Sequence, residues 1–183
     1  MKQTKKITIS AMCIALGVVF MALGAVIEVL DLTVAAMCSC LMAFVFIEVG
    51  DKYAIAVWIG TSILGLVFFT HSLVWVTYLL VFGMYPILKA YIERLKRPLW
   101  IPVKISLFVV CAILVILASE MLLGIPFFSD DFGLPILEKH TEIFKILVVC
   151  MFIGALYVYD VFMTVMIRSY FSIFRKRIQH LLK

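Results

Sequence analysis

The chain has 183 residues, 66% of them hydrophobic and 15% charged, with a formal net charge of +5. A soluble domain is nearer half apolar and one quarter charged, so one aqueous core of this length cannot hide so much apolar surface. Composition therefore excludes an ordinary soluble domain and makes lipid the main solvent, and the basic residues, which sit at segment ends, predict no nucleic-acid partner.

About 20 apolar residues cross a bilayer, which predicts an all-α integral membrane protein with a single six-helix membrane domain over residues 1–183. The first span, about 7–30, follows the basic start Met1–Lys6. Its apolar run is too long for a signal-peptide core and lacks a clear cleavage site, so it reads as a retained helix. The second span, 32–49, stops at Gly50-Asp51-Lys52. The third, 53–70, is joined to the fourth, 73–88, by His71 and Ser72 alone. Residues 89–98 form a charged, partly amphipathic connection ended by Pro98 and Pro102. The fifth span covers 101–124, a polar-containing loop covers 125–142, the sixth span covers 143–167, and a basic tail covers 168–183.

Six spans place 14 of the 16 Lys and Arg residues on the side that carries both termini, leaving only Lys139 and Lys145 on the other. The positive-inside bias then predicts cytoplasmic N- and C-termini in a multi-pass cell-membrane protein. Seven of the 11 acidic residues, Glu28, Asp31, Glu120, Asp130, Asp131, Glu138 and Glu142, fall on the opposite side.

Enzyme signatures are absent: the chain has no Walker-type phosphate loop, no GxSxG and no HExxH, and its three histidines are isolated. The five cysteines all lie in apolar runs, and Cys38 and Cys40, two apart, point to different faces of a helix. No catalytic residue, cofactor or metal site is expected.

Several constellations are candidates for function. Ala11 and Ala15 are small residues four apart on one helix face, which suits either docking of a partner or packing within the chain. His71, Trp75 and Tyr78 fall at i, i+4 and i+7, as a ligand-stacking stripe or as an interfacial aromatic belt. Glu120, in the outer part of the fifth span, is an ionisable group in a costly place and so a site candidate, unless it simply reaches the interface. Asp160 lies inside the sixth span on one face with Tyr157, Thr164 and Arg168. It is expected either to pair with a cation, with Lys52 and Lys104 as candidates, or to stay protonated, as a structural ion pair or hydrogen bond or as a relay. The loop segment Pro126–Pro135 joins Phe127, Phe128 and Phe132 to two carboxylates, as a lid over a ligand or as a surface loop.

Three stretches resemble the substrate-binding (S) components of energy-coupling factor (ECF) vitamin transporters. The opening TKKITISAMCIALGVVF looks like that family's first helix, with a basic start and an AxxxA motif at Ala11 and Ala15. The segment VLDLTVAAMCSCLMAFVFIEVG resembles the lead into and through its second helix, and the six-helix hydropathy covers the whole chain. The resemblance implies an S-component-like bundle in a bacterial cell membrane. It further implies that Ala11 and Ala15 face a transmembrane T component, with two ABC-type ATPases supplying the energy. A small vitamin-like substrate would bind in the outer half near His71, Trp75, Tyr78 and Glu120, with Glu28 and Asp31 at the rim. Two other classes stand beside it. One is a non-transport membrane scaffold that uses its basic segments to hold a partner. The other is a self-contained secondary transporter using Asp160 and Glu120, although no internal repeat supports it.

Overall fold

The computed structural model describes residues 3–27, 30–94, 97–123 and 141–174, and among them all regular structure is helical. Six helices are long and apolar enough to cross a membrane. They are α1 (Gln3–Val26), α2 (Asp31–Glu48), α3 (Asp51–Phe68), α4 (Leu73–Ile92), α5 (Arg97–Leu123) and α6 (Thr141–Ser169), the last running on into a π-helical turn at Tyr170–Phe174. Each expected span is present. The proposed lid, Pro126–Pro135, lies outside the described residues, as do Glu28 and the end of the basic tail.

The helix boundaries have local causes. Gly50 turns the chain between α2 and α3 at φ 114°, a left-handed conformation in which a residue without a Cβ carries no steric cost. The Ser72 hydroxyl accepts the Val74 backbone N–H at 3.3 Å and caps α4, a typical satisfaction of a helix-start donor.

The outer surface of the bundle is apolar, unlike that of a soluble one. Ile7, Met12, Leu16, Val19, Leu23 and Val26 of α1 are all exposed. A helix apolar all round belongs in hydrocarbon, where such side chains face lipid rather than a core. What α1 turns inward is mostly small: Ser10, Cys13, Gly17, Met21 and Gly24. A Cβ at Gly17 would meet the Thr61 methyl at 3.0 Å, and one at Gly24 would meet a Val74 methyl at 2.8 Å. These glycines set how closely α1 approaches α3 and α4, the usual device where no hydrophobic effect drives helices together.

Helix α4 is the centre of the bundle: 61% of its span is buried inside the protein, against 22–39% for the other five. It is not a continuous α-helix. Residues Leu73–Thr77 are α-helical, Tyr78–Phe82 form a π-helical turn, and Tyr85–Ile92 resume the α-helix with Pro86 in its first turn. The Gly83 N–H bonds the Tyr78 carbonyl five residues back at 2.7 Å. Widening the ladder in this way displaces neighbouring carbonyls from their regular partners. The Trp58 indole N–H of α3 donates to one of them, the Leu79 carbonyl, at 3.3 Å. The same Trp58 ring lies so close to Gly83 that any side chain there would collide with it.

The largest buried cluster surrounds α4 with Trp75, Tyr78, Phe82, Tyr85, Phe108 and Tyr159, and a smaller one joins α1, α2 and α3 through Cys13, Met42, Val45 and Val57. Cys38 and Cys40 do point apart. The Cys38 thiol reaches the Gly17 carbonyl at 3.4 Å, and Cys40 contacts the Met163 sulfur on α6.

One sequence expectation is corrected here. The fourth span does not stop at residue 88: it continues to Ile92 and carries Lys89 into the interior, where that side chain is 2% exposed. Lys89 is therefore not part of a charged connection. A partner waits for it inside the bundle.

Candidate functional site

The partner is Asp160 of α6. Lys89 Nζ donates to Asp160 Oδ1, to the Asp160 backbone carbonyl at 3.0 Å and to the Thr164 hydroxyl at 2.6 Å. Lys104 of α5 donates to Asp160 Oδ2 at 2.7 Å, and the Tyr85 hydroxyl donates to Oδ1 at 2.5 Å. Glu93, one helical turn beyond Lys89, lies 3.4 Å from it and 3.8 Å from Lys104. Of the two cations expected from sequence, Lys104 is a partner of Asp160, whereas Lys52 is exposed on α3. Tyr157 is 64% exposed and takes no part.

Charges inside a membrane protein are tolerated when paired and fully hydrogen-bonded, and here two ammonium groups face two carboxylates. The Asp160 carboxylate joins three helices: Tyr85 and Lys89 on α4, Lys104 on α5, and its own α6. The polar chain starts at Glu93, whose side chain is 38% exposed, and ends among the described residues at Tyr85. Beyond Tyr85 come the rings of Phe108, at 5.8 Å between centroids, and Tyr159, at 5.2 Å. The Tyr159 hydroxyl pairs with Ser39 of α2 rather than with the charged group. The arrangement ties three helices together through one carboxylate.

At the other end of the helices an open hollow of about 600 Å³ lies beside the α3–α4 turn and the start of α2. Asp31, Phe68, Phe69, Thr70, His71 and Ser72 line it. The sequence stripe His71-Trp75-Tyr78 is divided here. His71 is exposed at the hollow. Trp75 and Tyr78 are 4% and 1% exposed and belong to the core. Trp75 donates its indole N–H to the Thr70 carbonyl at 3.1 Å, so it supports the turn that carries His71. Tyr78 packs in the cluster around α4. Trp75 and Tyr78 fall in the core because α4 is the most buried of the six helices. Glu120 is exposed on α5 and is not among the residues lining the hollow.

Ala11 and Ala15 face away from the protein's own packing and are exposed. Ala15 lines an apolar groove of about 630 Å³ between α1 and α2, together with Ile9, Met12, Leu16, Leu41 and Phe44. The stripe that α1 uses inside its own bundle is the separate one through Cys13, Gly17 and Gly24.

Sequence reasoning missed Tyr85, Lys89 and Glu93. A signal was present, since the three recur every fourth residue, as do Asp160 and Thr164, and such spacing puts each set on one helix face. No family model, no curated protein and no solved structure matches the chain.

Proposed function

We propose that this protein is the substrate-capture membrane subunit of an ECF-type importer. In this reading both termini lie in the cytoplasm of a bacterial cell. The hollow beside His71 and Asp31 receives a small vitamin-like molecule from outside, and a T component with two ABC-type ATPases drives its delivery. The observation that carries the reading is the uncovered small-residue face of α1. Ala11 and Ala15 are exposed beside an apolar groove, while a different stripe serves the intramolecular packing. A face whose small residues have no use within the bundle suits close approach by another membrane helix. The position of the hollow, at the end opposite the α1 start, agrees with capture on one side and coupling nearer the other.

The test is co-expression with a T component and its two ATPases. A complex should co-purify with the wild-type chain and be lost with Ala11→Trp. Because Ala11 is exposed, that variant should keep its folding stability within about 0.5 kcal/mol. Absence of any complex, or a complex indifferent to Ala11→Trp, refutes the reading.

The buried Lys89–Asp160–Lys104 group favours a second reading, a self-contained carrier coupled to ions. Uptake into liposomes without ATP, abolished by Asp160→Asn, would support it. The polar chain that stops at Tyr85 weighs against it.

A further inference from the structure

We infer that the hollow beside the α3–α4 turn selects an organic cation that carries a ring, an inference that rests on the capture reading and names its substrate class. The cavity volume of about 600 Å³ lies in the range of small-molecule sites, roughly 300–1,000 Å³. Its lining has three kinds of group. Asp31 supplies a carboxylate. Thr70, His71 and Ser72 supply polar side chains along one turn. Phe68 and Phe69 supply two rings with centroids 6.3 Å apart, tilted at 50° to one another. A cation over an aromatic face is held by the ring quadrupole, and a flat apolar portion packs against the same surface. No Lys or Arg is among the described residues lining the hollow.

The sequence supplies a second, independent reason. The six-span reading assigns to the outer side seven carboxylates, Glu28, Asp31, Glu120, Asp130, Asp131, Glu138 and Glu142, against Lys139 and Lys145. Net charge of one sign beside a low-dielectric wall concentrates counter-ions and speeds their encounter. The field recruits the same sign of ligand that the lining retains.

The test uses purified full-length protein in lipid nanodiscs and three small aromatic probes that differ in charge: benzyltrimethylammonium, benzyl alcohol and phenylacetate. Binding is followed by intrinsic tryptophan fluorescence and by isothermal titration. Benzyltrimethylammonium should bind saturably and at least tenfold more tightly than either other probe, and Asp31→Asn should weaken it at least tenfold. Equal affinity across the three probes, preference for phenylacetate, or no saturable binding of the cation overturns the inference. The wild-type charge series stands even if Asp31→Asn fails to fold, and His71→Ala gives a second variant, expected to weaken the cation severalfold. The two failures are distinguishable. Cation selectivity without any complex with a T component removes the importer and keeps the ligand class. A complex without cation selectivity does the reverse.

Discussion

Neutralising Asp160 tests whether the charged group inside the bundle is a structural clasp. Asp160→Asn keeps the shape of the side chain and removes its charge. Lys89, at 2% exposure, then keeps the Thr164 hydroxyl and the residue-160 carbonyl, but among the described residues the one carboxylate left to it and to Lys104 is Glu93, which lies 3.4 and 3.8 Å away and is partly exposed. Breaking a buried pair by removing one partner costs about 3–5 kcal/mol, because a desolvated charge is left behind. For a chain of this size 1 kcal/mol corresponds to roughly 2–4 °C in Tm, so the loss should be about 6–20 °C. Thermal unfolding in detergent, followed by tryptophan fluorescence, measures it. Lys89→Met added to Asp160→Asn removes the more deeply buried orphan and should recover at least half of the loss, since an apolar replacement of a buried pair is often neutral or stabilising. A Tm for Asp160→Asn within about 2 °C of wild type, or a double variant less stable than the single one, would refute the clasp.

Two further outcomes follow from the packing. Ser39→Ala leaves the buried Tyr159 hydroxyl without its partner on α2, and should cost about 1–3 kcal/mol in the same unfolding assay. Ser39→Ala combined with Tyr159→Phe should cost less than Ser39→Ala alone. Gly24→Leu drives a side chain into Val74 and Val34, which already stand 2.8 and 3.3 Å from a Cβ there. It should separate α1 from α4 and lower stability by about 1–3 kcal/mol, whereas Leu23→Ala on the exposed face should change it by less than about 0.5 kcal/mol.

Much of the fold was legible because hydropathy over 20 residues is a property of each segment alone. All six spans appear where apolar length placed them, and the errors are at the ends. One of these, the extension of α4 to Ile92, arises because a lysine reads as a helix end unless its counter-charge is known. The counter-charge lies 71 residues away on α6, and local pattern does not reach that far. Asp160 was recognisable as a paired group because an ionised carboxylate inside an apolar run has few alternatives, and Lys104 was among its candidate partners. The ligand stripe was less legible. His71, Trp75 and Tyr78 do share helical spacing, but spacing does not reveal whether the helix is central or peripheral. Helix α4 is central, so two of the three became core.

The sequence by itself determined the solvent of this protein, the six apolar spans found among its described residues and the asymmetry of charge expected between their ends, since composition and segment length need no partner to act. Tertiary structure alone decided which helix stands in the middle, where α4 departs into a π-helical turn against Trp58, which alanines of α1 remain uncovered, and which lysine meets Asp160. The physical reason is the same in each case. These helices are apolar over most of every face, so hydrophobicity alone does not say which face turns inward. Small residues, hydrogen bonds and buried charge pairs make that choice, and they act only once the helices are side by side.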